Sequence, residues 1–241
     1  MYFMDMHCHI LPGVDDGSKD MAMSMEMIGI AYSQGTRKIV LTPHHYVGKT
    51  KLTKADLKRI FGELKAVVKK DYPEIELFLG NEIYWGRGAV DGLKNDIICT
   101  YGDSKYVLVE FSPRCSYNEL YGAVRELVQH RFRPIIAHME RYQCLTKHIE
   151  RVEEIIENGA YLQMNVDSLI GGMFDGHTRW CRKMVLDGYI SLLGTDAHNI
   201  DDRAPYIEQT ISWLRKKVDD ETFEALTHAN GEAILKNEWL D

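Results

Sequence analysis

Seven short apolar runs recur along this 241-residue chain, with helix-like segments between them, and six of the seven end on His, Glu or Asp. Strands that alternate with helices imply a parallel sheet, because a parallel neighbour is reached only through a crossover connection. In such folds the C-terminal ends of the strands gather at one mouth. Ligand-type residues far apart in the chain are therefore expected to meet there.

The first run opens MYFMDMHCHILPGVDDG, where His7 and His9 are two residues apart and share one face of a strand. Both can grip one ion, and Asp15 and Asp16 in the following loop offer hard oxygen ligands nearby. RKIVLTPHH (37–45) ends on His44 and His45, which as strand neighbours point to opposite faces, so one of the two serves. IELFLGNEIYW (75–85) carries Glu82, the run from Lys105 to Phe111 carries Glu110, and RPIIAH (133–138) ends on His138. YISLLGTDAH (189–198) repeats the opening spacing with Asp196 and His198, which lets the last strand close the site beside the first. Only AYLQMNV (160–166) contributes no ligand. His130, His148, His177 and His228 fall in helices or loops and read as structural or exposed.

Ser18 is expected to cap a helix whose stripe is Met21, Met25, Ile28 and Tyr32, ending before Gly35. Further helices are expected over 53–70, 117–130, 146–158, 175–187, 203–218 and 220–228, with a closing turn or helix over 231–237. No repeat, low-complexity segment or linker divides the chain, so residues 1–241 read as a single domain.

Composition narrows the function classes. With 45% hydrophobic and 27% charged residues the chain can bury a substantial core. A formal charge of -7 argues against a broad nucleic-acid-binding face. The five cysteines are scattered and form no Cys-x-x-Cys pair, which suggests neither a disulfide framework nor a structural zinc site and fits a reducing cytoplasm. No leader pattern opens the chain, and no segment reaches the ~20 apolar residues of a span, so neither export nor membrane insertion is expected.

The ligand candidates exceed what one ion needs, and imidazole with carboxylate suits Mn, Fe or Zn, so two or three divalent metals are expected. Bridging carboxylates in such a cluster can hold a hydroxide for in-line attack on phosphorus. Arg141, three residues past His138, and Arg203, seven past Asp196, lie in loops after ligand-bearing strands and can hold the remaining phosphate charge. Other chemistries lack their motifs. No cysteine is followed by an arginine six positions on, Gly48-Lys49-Thr50 lacks the first glycine of a P-loop, and no Gly-x-Ser-x-Gly occurs.

The segments DMHCHILPGVDDG, LTPHH, GNEIYW, LVEFS, IIAHMERY and GTDAHNIDDRAP run in order across the chain. Through them the sequence resembles the polymerase and histidinol phosphatase (PHP) superfamily. More closely, it resembles the metal-dependent bacterial protein-tyrosine phosphatases encoded with capsule and exopolysaccharide genes. The resemblance implies an α/β fold, a distorted (β/α)7 TIM-like barrel, with a trinuclear and usually manganese-dependent centre. It implies His7, His9, Asp16, His44, Glu82, Glu110, His138, Asp196 and His198 as ligands, favouring Asp16 over Asp15 and His44 over His45. Arg141 and Arg203 become the phosphate-binding arginines. The substrate it implies is phosphotyrosine on a protein, above all the tyrosine-rich tail of a bacterial kinase that controls polysaccharide synthesis. Tyr46, Tyr84, Trp85 and Tyr142 are placed near the mouth, where they can flank a phosphotyrosine ring or pack the rim. Alternatives that keep the site are hydrolysis of a small phosphomonoester such as histidinol phosphate or of a nucleic-acid phosphodiester. A third is a metal-stabilised module that recognises the kinase without turnover.

Overall fold

The computed structural model describes residues 2–172 and 174–240. The apolar runs form strands and the stretches between them form helices. Their order is β1 (Phe3–Cys8), α1 (Met21–Ser33), β2 (Thr36–Leu41), β3 (His44–Tyr46), α2 (Lys54–Asp71), β4 (Glu76–Leu79), β5 (Glu82–Tyr84) and α3 (Ala89–Lys94). There follow β6 (Tyr106–Glu110), α4 (Tyr117–Gln129), β7 (Arg133–Ile136), α5 (Ile149–Glu157), β8 (Tyr161–Asn165) and α6 (Gly176–Leu186). The last elements are β9 (Leu192–Gly194), α7 (Glu208–Lys217), α8 (Asp220–Glu224) and α9 (Asn230–Leu235). Strands β1-β2-β4 form one sheet and β3-β5-β6-β7-β8-β9 another, and the pairing is parallel throughout.

Two expected strands are each broken in two. Pro43 has no amide hydrogen for the ladder, and the run 37–45 leaves the first sheet after Leu41 and joins the second as β3. The run 75–85 divides in the same way at Gly80 and Asn81. The breaks are stitched together: Gly80 N donates to Leu41 O at 2.8 Å and Glu82 N to Pro43 O at 3.1 Å. The Asn81 amide also donates to Pro43 O, at 2.9 Å, and accepts from Cys99 N. The sheets thus continue into one another across the breaks, and with each broken run counted once the strands occupy the seven expected positions. On the far side β1 meets the segment after β9, where Asp196 N donates to His7 O at 2.7 Å and His9 N to Ala197 O at 2.8 Å. The result is a distorted, barrel-like α/β fold.

The first helix departs from expectation at its start. Asp20, not Ser18, is the N-cap, its carboxylate accepting from Met23 N at 2.9 Å. The Ser18 hydroxyl is buried and engaged with Ser24 Oγ and Asp20 O, which removes it from capping. The buried face of α1 is Ser24, Met27, Ile28 and Ala31, while Met21, Met25 and Tyr32 are partly buried at its edge. Helix α5 starts at Ile149 rather than Thr146, and α7 starts at Glu208, leaving Arg203 in the loop that follows β9. Helix α2 begins where expected, with Thr53 and Asp56 forming a reciprocal capping box worth about 1 kcal/mol.

The side chains of Met4, Met6, Val40, Tyr106, Leu108, Ile135 and Leu192 pack into one buried cluster drawn from five strands. Leu108 and Glu110 are two apart on β6 and share its face, so the polar site continues upward from this apolar floor. The last helix covers the same floor: a Cβ on Gly231 would lie 2.7 Å from the sulfurs of both Met4 and Met6.

Candidate metal centre

Glu82 is the hub of the mouth. It is fully buried at the first residue of β5, held in register opposite His44 of β3. Its Oε2 lies 3.2 Å from His7 Nε2, 3.2 Å from His9 Nε2 and 2.9 Å from His44 Nδ1. Its Oε1 lies 2.9 Å from His138 Nε2. Glu110 extends the cluster, 3.7 Å from both His44 and His138. Asp196 Oδ1 stands 3.5 Å from His7 and 3.4 Å from His9, and Asp16 Oδ1 is 3.4 Å from His44 and 3.6 Å from His198. All nine expected ligands therefore meet in one place. Among the described residues, three groups have potential ligand atoms within 4.8 Å of one another: His9, Asp16, His44 and His198; His7, His9 and Glu82; and His44, Glu82 and Glu110.

The surroundings of these side chains fit a metal. Glu82 Oε2, Glu110 Oε2 and His44 Nδ1 are buried without a hydrogen bond of sound geometry, despite their crowding. Buried polar atoms are rarely left this way, and each such case calls for a partner. Three imidazoles are also oriented from behind. His7 donates from Nδ1 to Gln163 Oε1 at 3.0 Å, His9 to Asp15 Oδ2 at 2.8 Å and His198 to its neighbour Asp196 O at 2.8 Å. Each bond puts the proton on Nδ1 and turns the Nε2 lone pair to the centre, as metal-ligating histidines require.

Charge concentrates here. Burial alone would raise the carboxyls, but His7, His138 and His44 hold Glu82 well below the usual range, and His7 and His9 do the same for Asp196. Glu110 is pushed up to about 7, by burial first and Glu82 second. The His198 ring is driven down to about 4 by burial and by His9, keeping it neutral. The carboxylates of the mouth face the guanidiniums of Arg141 and Arg203, which meet Asp196 Oδ2 at 2.8 and 2.9 Å, and the imidazoles of His7, His9 and His44, whose pKa the carboxylates raise against the opposing effect of burial. Divalent cations would take the place of the protons on those imidazoles.

The backbone is strained at two of these positions. His138 has φ 30° and Asp196 φ 51°, a region costly for residues other than glycine and worth about 1–3 kcal/mol each. His138 N donates to Gln163 Oε1 at 2.7 Å, and the bond from Asp196 N to His7 O locks the second position.

Several residues that position the site were missed from sequence. Strand β8 supplies no titratable ligand, yet the Gln163 side chain serves both His7 and His138, and Asn165 Nδ2 donates to Asp196 Oδ2 at 3.1 Å. Their signal was two polar residues at i and i+2 in an apolar strand. Asp5, a carboxylate inside another apolar run, accepts from Thr195 Oγ1 at 2.6 Å and from His7 N at 3.2 Å, tying β1 to the last strand. Asp15 turns inward to His9 and to His44 N, while Asp16 has a 67% exposed side chain at the mouth. His138 and Asp196 lie outside those three groups and join the cluster through Glu82, His7 and His9, whereas His45 is buried apart from these contacts, and its burial lowers its pKa. Tyr142 is not at the rim. It is fully buried, accepting from Phe111 N at 3.1 Å and lying 3.4 Å from His138 Nδ1. A hollow of 510 Å³ lies elsewhere, against the start of β8, and the one carboxylate among its described lining residues is Glu221.

This geometry has named relatives. The profile of the CpsB/CapC family, described as capsular polysaccharide synthesis, matches residues 3–236. The chain belongs to that family. Among CpsB/CapC relatives, the tyrosine-protein phosphatase YwqE of Bacillus subtilis (strain 168) is 32% identical over 243 residues, covering 98% of this chain and 93% of that protein. The tyrosine-protein phosphatase CpsB of Streptococcus agalactiae is 29% identical over 242 residues, covering 98% of this chain and all of that protein. A solved structure from work on YwqE of Bacillus subtilis and CpsB of Streptococcus pneumoniae, described as unique metal-dependent tyrosine phosphatases, superposes with a TM-score of 0.89 at 29% identity. It covers 99% of this chain and 96% of that one. Among the described residues no helix is long and apolar enough to cross a membrane.

Proposed function

We propose that this chain is a metal-dependent protein-tyrosine phosphatase whose substrate is a phosphorylated bacterial tyrosine kinase controlling capsule or exopolysaccharide synthesis. The observation that carries the reading is Glu82 Oε2, buried among three imidazole nitrogens with no hydrogen bond of its own. In this reading His7, His9, Asp16, His44, Glu82, Glu110, His138, Asp196 and His198 hold two or three divalent ions, with manganese the working metal. Divalent ions held by these residues would supply activation of an attacking water and neutralisation of phosphate oxygens. The protein's own share is orientation and charge. Gln163, Asp15 and the Asp196 carbonyl fix three imidazoles, so no reorganisation is needed when substrate arrives. Arg141 and Arg203, with half-exposed side chains, offer planar donors to the phosphoryl oxygens as charge develops.

Residues 1–241 act as one unit in this account, because the ligands come from strands spread between residues 7 and 198. The kinase tail and this chain would meet in the cytoplasm. The relatives' names and the capsule family support the substrate class. The test is phosphate release by metal-stripped protein, with and without manganese, from a phosphotyrosine peptide, a phosphoserine peptide and histidinol phosphate. Manganese-dependent preference for phosphotyrosine is expected. Preference for histidinol phosphate would replace the substrate while keeping the centre, and no turnover of any of the three would replace the enzyme with a binding module.

A further inference from the structure

Strands β3 and β5 continue one step beyond their ligands. Residues two apart share a strand face, so Tyr46 follows His44 and Tyr84 follows Glu82 on the side of the metal centre. The register pairs His44 with Glu82 and Tyr46 with Tyr84. The two tyrosine rings stack with centroids 5.4 Å apart and planes at 29°, and the His44 ring lies 5.4 Å from Tyr46. An aromatic lip therefore stands directly over the ligands.

Two hollows of 420 Å³ flank this lip and share Tyr46 and Lys49 as their common wall. The inner one is lined by Asp15 and by two of the expected ligands, Asp16 and His44, at the edge of the metal centre. The outer one is walled by Val47, Tyr84, Trp85 and Arg87 as well. Trp85 N donates to Glu110 O at 2.8 Å, which ties the outer wall to the strand that carries a ligand.

The chain has a net charge of -7, yet the outer hollow is lined by Lys49 and Arg87 and by no carboxylate. Among the described residues neither cation has an ion-pair partner. Lys51, also unpaired, stands on the inner side. A cationic hollow one aromatic wall away from the phosphate site faces whatever lies next to the phosphotyrosine in the substrate chain.

Resting on the phosphotyrosine reading above, we propose that the outer hollow is a specificity subsite for an anionic side chain within two residues of the phosphotyrosine, selected by Lys49 and Arg87. The phosphotyrosine ring leans on the Tyr46–Tyr84 lip while its phosphate enters the inner hollow. Consecutive Cα atoms are about 3.8 Å apart, so a flanking residue has only the lip to cross. The anionic group is a carboxylate of Asp or Glu, or the phosphate of a second phosphotyrosine.

The experiment compares kcat/KM of the manganese-loaded protein on peptides whose phosphotyrosine is flanked by Ala, by Glu or by a second phosphotyrosine, with p-nitrophenyl phosphate as a substrate that has no flank. The wild type should favour the anionic flanks over Ala by roughly fivefold or more, the scale of one to two partly exposed charge pairs. Preference for Glu identifies a carboxylate as sufficient, and preference confined to the doubly phosphorylated peptide identifies phosphate. In the double variant Lys49→Ala/Arg87→Ala the ratio should fall to about one, and Arg87→Glu should invert it. Because the readout is a ratio within each variant, loss of folded protein does not mimic the effect. Equal kcat/KM for all flanks in the wild type overturns the subsite and leaves the phosphatase reading standing. No turnover of any substrate, p-nitrophenyl phosphate included, overturns both.

Discussion

His9 Nδ1 donates to Asp15 Oδ2 across 2.8 Å, and this bond decides which imidazole nitrogen faces Glu82 and Asp196. Asp15 holds the bond as a firm carboxylate: burial opposes its ionisation, but the His9 contact brings its pKa down to about 2. The same carboxylate accepts from His44 N at 3.0 Å, so one side chain positions two of the expected ligands. Asp15→Ala should weaken metal affinity by roughly 10–100-fold, the usual effect of losing such an outer partner. Competition against a chromophoric chelator measures it, and unchanged affinity would remove Asp15 from the positioning role.

Gln163 is the counterpart on the opposite side, accepting from both His7 Nδ1 and His138 N. Gln163→Leu keeps the volume but strands two buried donors, at a cost of about 1–3 kcal/mol for each unsatisfied group. Urea unfolding should register that loss. Gln163→Glu keeps the acceptor but loses the Nε2 bond to Asn165 Oδ1 and adds a buried charge, so it should also destabilise, and a wild-type urea midpoint in Gln163→Leu would contradict the account.

Arg203 and Arg141 both grip Asp196 Oδ2, and Arg203 Nη2 also donates to Asp196 O at 3.2 Å. Arg203→Ala should raise KM for a phosphotyrosine peptide by roughly 10–100-fold, the worth of one charge-assisted hydrogen bond. Its metal content should stay at the wild-type level. Elemental analysis alongside steady-state kinetics separates the two effects. Lost metal would make Arg203 a support of Asp196 instead.

Away from the site, Asp56 is held below the usual carboxylate pKa by the Thr53 hydroxyl and then by Thr53 N. A depressed folded pKa contributes stability above the unfolded value, and that contribution is lost as pH falls through the folded value. Asp56→Asn should therefore lower the urea midpoint at pH near 7, and the gap to wild type should narrow below about pH 4. A gap independent of pH would mean that the cap works through shape alone.

The convergence of His, Asp and Glu side chains at one mouth was legible because strand ends are legible. His7 and His9 stand out through their spacing, and so do Asp196 and His198, but β9 ends at Gly194 and Asp196 has φ 51°, so the second pair reaches the mouth from the loop after the strand and not from a shared strand face. What escaped was set by tertiary contacts. The breaks at Pro43 and Gly80 leave the hydrophobic pattern continuous, so only the hand-over between sheets reveals them. Ser18 and Asp20 are equally good caps in isolation, and Ser24 decides between them by occupying the Ser18 hydroxyl. Tyr142 reads as a mouth residue because it follows His138, but the Phe111 amide draws its hydroxyl into the core. Gln163 and Asn165 were passed over because neutral amides do not stand out among candidates chosen for charge.

The most direct test of the metal-centre account is titration of manganese into metal-stripped wild-type protein and into Glu82→Gln, following phosphate release from a phosphotyrosine peptide. Glu82→Gln removes the buried charge at the hub while nearly preserving shape. Activity that rises with wild-type metal uptake and stays absent in Glu82→Gln, with reduced uptake, is the predicted result. Wild-type turnover without any divalent ion, or full activity and uptake in Glu82→Gln, would contradict it.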